Sequence, residues 1–221
     1  MKLRISFFWI ALVLLVLAMP LWAQYQVGVI GGVNLANIHS DEMKDNLGMD
    51  LQNRTLFGAG AMFDAGLSEH FALRFEPMFL RKGAETKATE NDVETISRLK
   101  MDYLELPLMA RFSLGSEMSK AKPFLLAGPS VGFLLRAKSE SEFADITTEA
   151  DIKDELKNLD YGINFGGGLT LKAGNANLFV EGRYNLGLAD VDDSANDNGV
   201  DVHVKNRGLE LFAGIALPLG G

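Results

Sequence analysis

The chain has 221 residues, room for one domain and a removable leader, and carries 21 Lys+Arg against 29 Asp+Glu for a formal net charge of -8. That balance excludes a nucleic-acid partner, which requires a basic face to neutralise phosphates. The absence of cysteine excludes disulfide frameworks, thiolate metal sites, cysteine nucleophiles and a lipidated N-terminal cysteine.

At the N-terminus Lys2 and Arg4 precede an apolar run from Ile5 to Met19, and Pro20-Leu21-Trp22-Ala23 follows before the composition turns polar. This is the order of a secretory signal peptide, which predicts a leader over 1–23, cleavage between Ala23 and Gln24, and a mature domain over 24–221. The rival reading, a membrane anchor, requires about 20 apolar residues, and this run is shorter. Beyond residue 23 no apolar stretch is long enough to cross a bilayer as a helix.

The remainder divides into eight alternating segments, near 25–36, 55–67, 71–82, 99–113, 123–137, 159–171, 177–188 and 203–219. Each is close to the length of a tilted transmembrane strand, about 9–11 residues or somewhat more. In the third, Phe71, Leu73, Phe75 and Phe79 alternate with Arg74 and Glu76. In the fourth, Leu104, Leu106, Leu108, Ala110 and Phe112 alternate with Glu105 and Arg111. The sixth sets Leu159, Tyr161, Ile163, Phe165 and Leu169 against Asp160, Asn164 and Thr170. The seventh sets Leu178, Val180, Tyr184, Leu186 and Leu188 against Glu181, Arg183 and Asn185, and the eighth sets Leu209, Leu211, Ile215 and Leu217 against Glu210. Residues two apart share one face of a strand, so each segment has an apolar face and a polar one.

A soluble barrel shows the same alternation with its apolar face inward. Here the polar faces are small and sparsely charged, with Gly28, Gly32, Gly58, Gly60, Gly128, Gly132, Gly162, Gly166, Gly168, Gly208 and Gly214 on them. Small residues with a few charges suit the crowded interior of a narrow barrel, and the apolar faces suit lipid. The connections alternate: 68–70, 114–122 and 172–176 are short, whereas 37–54, 83–98, 138–158 and 189–202 are long. Short periplasmic turns and long external loops mark outer-membrane barrels, and this order puts both ends of the barrel domain in the periplasm. The expectation is an all-β, eight-stranded antiparallel up-and-down transmembrane barrel in the outer membrane. Pro77, Pro107, Pro123, Pro129 and Pro218 fall in or at the start of these segments and predict bulges or strand ends.

Several local motifs resemble the small outer-membrane β-barrel family known as "porin family" or PorT-like. They are Gly31-Gly32-Val33-Asn34, Tyr103-Leu104-Glu105-Leu106-Pro107-Leu108, Pro123-Phe124 with Ala127-Gly128-Pro129-Ser130, Asp160-Tyr161-Gly162 with Phe165-Gly166, Glu181-Gly182-Arg183-Tyr184, Gly187-Leu188 and Lys205-Asn206-Arg207. The resemblance covers nearly the whole mature chain. It implies a barrel embedded in outer-membrane lipid, delivered by the barrel-insertion machinery, with partners in an envelope or secretion assembly. The family's usual aromatic ending is replaced by Leu217-Pro218-Leu219-Gly220-Gly221.

The inward ionisable set is predicted to be Asp64, Arg74, Glu76, Glu105, Arg111, Arg136, Asp160, Glu181, Arg183 and Glu210. Either it lines a conduit or its members pair to fill the lumen. Eight strands leave an interior only wide enough for side chains, and buried charges require partners, so the filled network is preferred. Strand order puts Arg74 diagonally near Glu105 and Arg183 near Glu210.

No catalytic group and no cofactor is expected. His39, His70 and His203 fall in a loop, a turn and a rim, and His203 with Ser194 is the one local pair available to a lipid-modifying enzyme. The acidic stretch Asp190 to Asp201 is rich in oxygen ligands, but counted from Asp192 its sixth position is Asp197 and its twelfth His203, not the Gly and Glu of an EF-hand. Solvated acidic loops are the expected reading there and across Glu140 to Glu155, where Asp151 to Leu159 is expected to make a short helical turn with Leu156 and Leu159 on the rim. Gly166-Gly167-Gly168 lies in a strand with no helix after it and is no phosphate loop. The functional expectation is a non-enzymatic barrel presenting acidic loops, ahead of a narrow solute channel and, last, a lipid-modifying enzyme.

Overall fold

The computed structural model describes residues 24–39, 51–52, 54–90, 93–115, 119–143, 146–190 and 205–219. The predicted leader, its cleavage site and most of the acidic stretch after Asp190 lie outside the described residues, as do Ser194 and His203. The strands are β1 (Tyr25–His39), β2 (Leu51–Gln52), β3 (Arg54–Gly66), β4 (Phe71–Phe75), β5 (Met78–Glu90), β6 (Val93–Ser113), β7 (Ala121–Phe143), β8 (Ile146–Asp151), β9 (Leu159–Ala173), β10 (Ala176–Gly187) and β11 (Lys205–Leu219). Every pairing is antiparallel, and β11 returns to pair with β1, which closes the sheet.

The closed ring has eight staves, because β4 and β5 together make one. Phe75 pairs with Leu108 and Met78 with Glu105, so both halves lie on β6 in one register. The interruption at Glu76-Pro77 faces Pro107 across the ladder, where each proline removes a donor. Neighbouring groups absorb the loss: Glu76 N–H donates to the Pro107 carbonyl, and Ala61 N–H to the Pro77 carbonyl. The prolines therefore interrupt pairing without inserting a bulge. The register shift lies elsewhere, between Asp102 (opposite Arg136) and Tyr103 (opposite Leu134), and it leaves Leu135 as the extra residue on β7.

Stagger around the ring fixes the barrel's shape. Stepping from Tyr25 through its successive partners Ala65, Leu73, Ala110, Ala127, Phe165, Tyr184 and Leu209 returns to β1 at Leu35, not at Tyr25. A closed eight-stranded sheet with that offset must tilt its strands, by roughly 40° in barrels of this kind. The turns at one end are tight, as at Ala173–Ala176, where Gly174 has φ 62°. At the other end β5–β6 and β7–β8 continue as hairpins, so much of what reads as long loop over 83–98 and 138–158 is strand.

Side-chain direction follows parity. Val29, Phe57, Phe71, Leu125, Phe133, Tyr161, Phe165, Val180, Leu211 and Ile215 are exposed on the outer wall. Asn34, Asp64, Arg74, Glu76, Glu105, Asp160, Glu181, Arg183 and Glu210 are buried inside. An apolar exterior around a polar interior reverses a soluble barrel and matches a wall solvated by hydrocarbon. The lumen is tight because glycines let neighbouring staves and bulky side chains approach. A β-carbon at Gly128 would fall inside the contact distance of the Leu108 carbonyl oxygen, and one at Gly168 would collide with the Phe124 ring. Gly128→Val is expected to abolish the folded species, read as loss of the faster-migrating unboiled band on a detergent gel; retention of that band would show that the wall has slack there.

Candidate functional site: the charged lumen

Nine of the ten predicted ionisable residues are buried in the interior: Asp64, Arg74, Glu76, Glu105, Arg111, Asp160, Glu181, Arg183 and Glu210. Their arrangement follows from strand register. Asp64 stands directly opposite Arg74, so the carboxylate receives Nε at 2.7 Å and Nη2 at 2.8 Å, the two-pronged geometry a guanidinium favours. The third guanidinium nitrogen of Arg74, Nη1, reaches across the lumen to Glu181 at 2.8 Å and to Glu76 at 3.4 Å. Arg183 stands opposite Glu210 and contacts it at 3.4 Å, while donating to Glu76 at 2.6 Å and approaching Glu181 at 3.1 Å. Two arginines thus share four carboxylates. The expected Arg183–Glu210 neighbourhood is present, but Arg74 turns to Asp64 rather than Glu105.

Glu105 belongs to a second group nearer the long-loop end. Lys82 Nζ lies 2.8 Å from Glu105 Oε2 and 3.1 Å from Asp160 Oδ2. Asn185 donates to Glu105 at 3.2 Å and to Asn164 at 2.8 Å, and Asn206 donates to Asp160 at 2.9 Å. Sequence reading left out Lys82, although it shares the parity of Arg74 and Glu76 on the same stave. Following that parity past Leu80 finds it. Four cations (Arg74, Lys82, Arg111, Arg183) face six carboxylates (Asp64, Glu76, Glu105, Asp160, Glu181, Glu210), and the asparagine amides supply further donors.

Arg111 has a different setting: it lies over the Phe124 ring at 4.3 Å and donates to Thr170 at 2.8 Å. Arg74 also lies between Phe124 and Phe179, at 5.5 and 5.1 Å, and Arg183 over Phe212 at 4.7 Å. These rings belong to a cluster with Ile30, Met62, Met78, Leu80, Met109, Leu126 and Ala216, so apolar groups fill the space between the ion pairs. A second buried cluster, Ala84, Met101, Tyr103, Leu134 and Ala137, lies nearer the long-loop end with Leu99, Ile152 and Leu156 packed on it. Lys153–Glu155 forms the short helical turn expected there. Both leucines are expected on the rim; Leu156 packs against this buried cluster, and Leu159 is exposed on the outer wall.

Arg136 is the correction. It is exposed, because the extra residue Leu135 reverses the parity of β7 and turns Ala137 inward instead. It stands opposite Asp102, whose carboxylate binds Arg81 at 2.6 Å while Arg81 rests on the Phe57 and Phe79 rings at 4.8 and 5.9 Å. Above this level the outer wall is charged: Arg98 bonds Glu85, Glu140 and Glu142, and Lys100 bonds Glu140. Lys100 and Arg98 hold the Glu140 carboxyl below its usual range. The apolar belt therefore ends between Phe79 and Arg81 on this side. His70 lies in a turn against Phe112, with ring centroids 6.0 Å apart. Among the described residues no three His, Asp or Glu side chains are grouped to hold a metal ion.

The model of a family described as outer membrane protein beta-barrel domain matches residues 22–193. No curated protein matches this chain. Among solved structures it is similar to Neisserial surface protein A, with 16% identity over 88% of this chain and 97% of that one at a TM-score of 0.49. It is also similar to OprG of Pseudomonas aeruginosa (12% identity, 90% and 97% covered, TM-score 0.49) and to Ail of Yersinia pestis (12%, 87% and 98%, TM-score 0.41).

Removing one member of a buried charge network leaves the others uncompensated, at a cost of about 3–5 kcal/mol. Arg74→Ala is expected to lose about that much in urea unfolding from lipid vesicles. Arg111→Ala, which gives up a ring contact and a hydrogen bond to a neutral hydroxyl but no counter-charge, is expected to lose about 1–2 kcal/mol. The reverse ranking would show that Arg74 does not hold the network together. Because the chain has no cysteine, placement is testable by labelling. Arg136→Cys is expected to react with a membrane-impermeant maleimide on whole cells and Ser130→Cys to stay unreactive; equal labelling would contradict the parity reversal.

Proposed function

The chain belongs to the outer membrane protein β-barrel domain family and lies in the outer membrane, and from that premise we propose that it is a non-conducting, non-enzymatic scaffold that presents extracellular strands and loops. The observation that supports this is the lumen itself. Arg74 and Arg183 are 2% and 1% exposed, bridge Asp64, Glu76, Glu181 and Glu210 across the interior, and are wedged among Phe124, Phe179 and Phe212. A conduit requires polar groups that water keeps solvated along a continuous path. Here the polar groups bind one another, and methionine and phenylalanine side chains occupy the remaining space. The energy of the interior goes into holding the staves together, which leaves the segments beyond the belt as the parts available to a partner.

PorT-like membership in an envelope or secretion assembly is consistent with such a scaffold, and the partner it implies is another envelope protein. The narrow-channel reading requires the Arg74–Glu181 and Arg183–Glu76 bridges to open. The enzymatic reading requires a nucleophile and base, and the pair nominated for it, Ser194 and His203, lies outside the described residues.

Planar-bilayer recording of the purified protein distinguishes the first two. The scaffold predicts a flat baseline at applied voltages of either sign, with insertion verified by heat-modifiable migration of the recovered protein. Reproducible ohmic steps from the unmodified chain would establish a pore and overturn the scaffold.

A further inference from the structure

The wall of the barrel is not level. β6 and β7 span Val93–Ser113 and Ala121–Phe143, longer than the roughly 9–11 residues a tilted strand needs to cross hydrocarbon. The surplus rises on the side where Arg81, Asp102, Arg98 and Glu140 mark the end of the apolar belt. At the far side of this raised sheet stands β8. It pairs with β7 through Lys138↔Asp151 to Phe143↔Ile146, and it ends the strand order among the described residues. All six of its residues are exposed.

A strand at the end of a sheet leaves every second backbone N–H and C=O without a ladder partner. Proteins blunt such edges with short strands, charged side chains (lysine above all), proline or a bulge, and here the one sign of charge, on Glu149 and Asp151, repels an acidic strand but not a basic one. Ile146-Thr147-Thr148-Glu149-Ala150-Asp151 has no proline, lysine or bulge and contains β-branched residues at three of six positions. Its tip is apolar as well: Ile146 is 69% and Phe143 56% exposed. The segment from Lys138 to Asn158 holds seven acidic residues (Glu140, Glu142, Asp145, Glu149, Asp151, Asp154, Glu155) against three lysines (Lys138, Lys153, Lys157), and although Arg98 and Lys100 bond Glu140 and Glu142 and Lys138 bonds Glu149, the segment keeps an acidic excess. Two copies of this edge would bring like charges together, and the acidic stretch after Asp190 would do the same, so both are disfavoured as occupants.

We propose that β8 is a docking edge to which a basic, extended polypeptide segment of another protein adds as a further strand. Backbone hydrogen bonds supply attachment, as in other strand-addition complexes, and the acidic side chains select for lysine and arginine in the incoming strand. This deepens the scaffold reading and rests on it, since it names how that scaffold would hold a partner.

The test uses the whole protein in lipid nanodiscs and three labelled ten-residue peptides, read by fluorescence anisotropy. One alternates lysine with valine, one alternates glutamate with valine, and the third is the lysine peptide N-methylated at alternate residues. N-methylation keeps the charge but removes the donors needed for pairing. The proposal predicts binding of the lysine peptide, at least tenfold weaker binding of the N-methylated form, and none of the glutamate form. A Glu149→Lys/Asp151→Lys variant should weaken binding of the lysine peptide at least tenfold. A chain lacking residues 146–151 should lose it. Equal binding of plain and N-methylated peptides, binding that survives the deletion, or no binding at all would overturn the docking edge. Heat-modifiable migration of each variant shows that the barrel is intact, and an electrically silent barrel that ignores the peptides would leave the scaffold standing while removing the edge.

Discussion

The structure depends on one constraint: an eight-stranded barrel is too narrow to hold charged side chains in water, so they must find partners inside it, most of them a counter-charge on another stave. Asp64 and Arg74 do so across one ladder, Arg183 and Glu210 across another, and Glu76 and Glu181 tie the two pairs across the lumen. Because partners come from β3, β4, β10 and β11, closing the ring and pairing the charges are one event. A chain with its staves in the wrong register would bury several unpaired ions. The network therefore selects the register as well as stabilising it, and glycines opposite the bulky groups make the space in which it packs.

The same constraint separates inside from outside. With the charged groups gathered inside the barrel, the outer wall is free to be hydrocarbon-like, and the ladder hydrogen bonds of a closed sheet leave no edge in the belt. Beyond the belt that restriction lapses. There β5, β6 and β7 carry charge on their outer faces, the ion pairs of Arg98 and Lys100 brace the hairpins, and β8, which ends the sheet among the described residues, presents an edge that would not be tolerated in lipid. The residues presented to the exterior are set by where the hydrocarbon stops.

Much of this was legible in the sequence, because period-two alternation survives a closed sheet unchanged. The eight staves and nine of the ten inward ionisable residues follow from parity alone. Parity fails wherever a residue is inserted: Leu135 shifts β7 and carries Arg136 to the outer wall, and no residue at that position announces it. The prolines predict bulges or strand ends; Pro77 does break β4 from β5, but the ladder keeps its register there, because Pro77 and Pro107 meet near one another and neighbouring amides fill the gap. Cross-lumen partners were illegible for a different reason. Contacts such as Arg74 to Glu181 and Lys82 to Asp160 depend on the stagger of the whole ring, a property of no single segment.

The central claim, that the arginines are fixed in a dry lattice of carboxylates, is most directly tested by solution NMR of the folded protein in detergent micelles. The side-chain Nε–H signals of Arg74 and Arg183 should be well dispersed, exchange slowly with solvent, and disappear one at a time in Arg74→Lys and Arg183→Lys. Signals for both that coincide with those of exposed arginines and exchange rapidly would mean a hydrated lumen, and would contradict the filled barrel on which the rest depends.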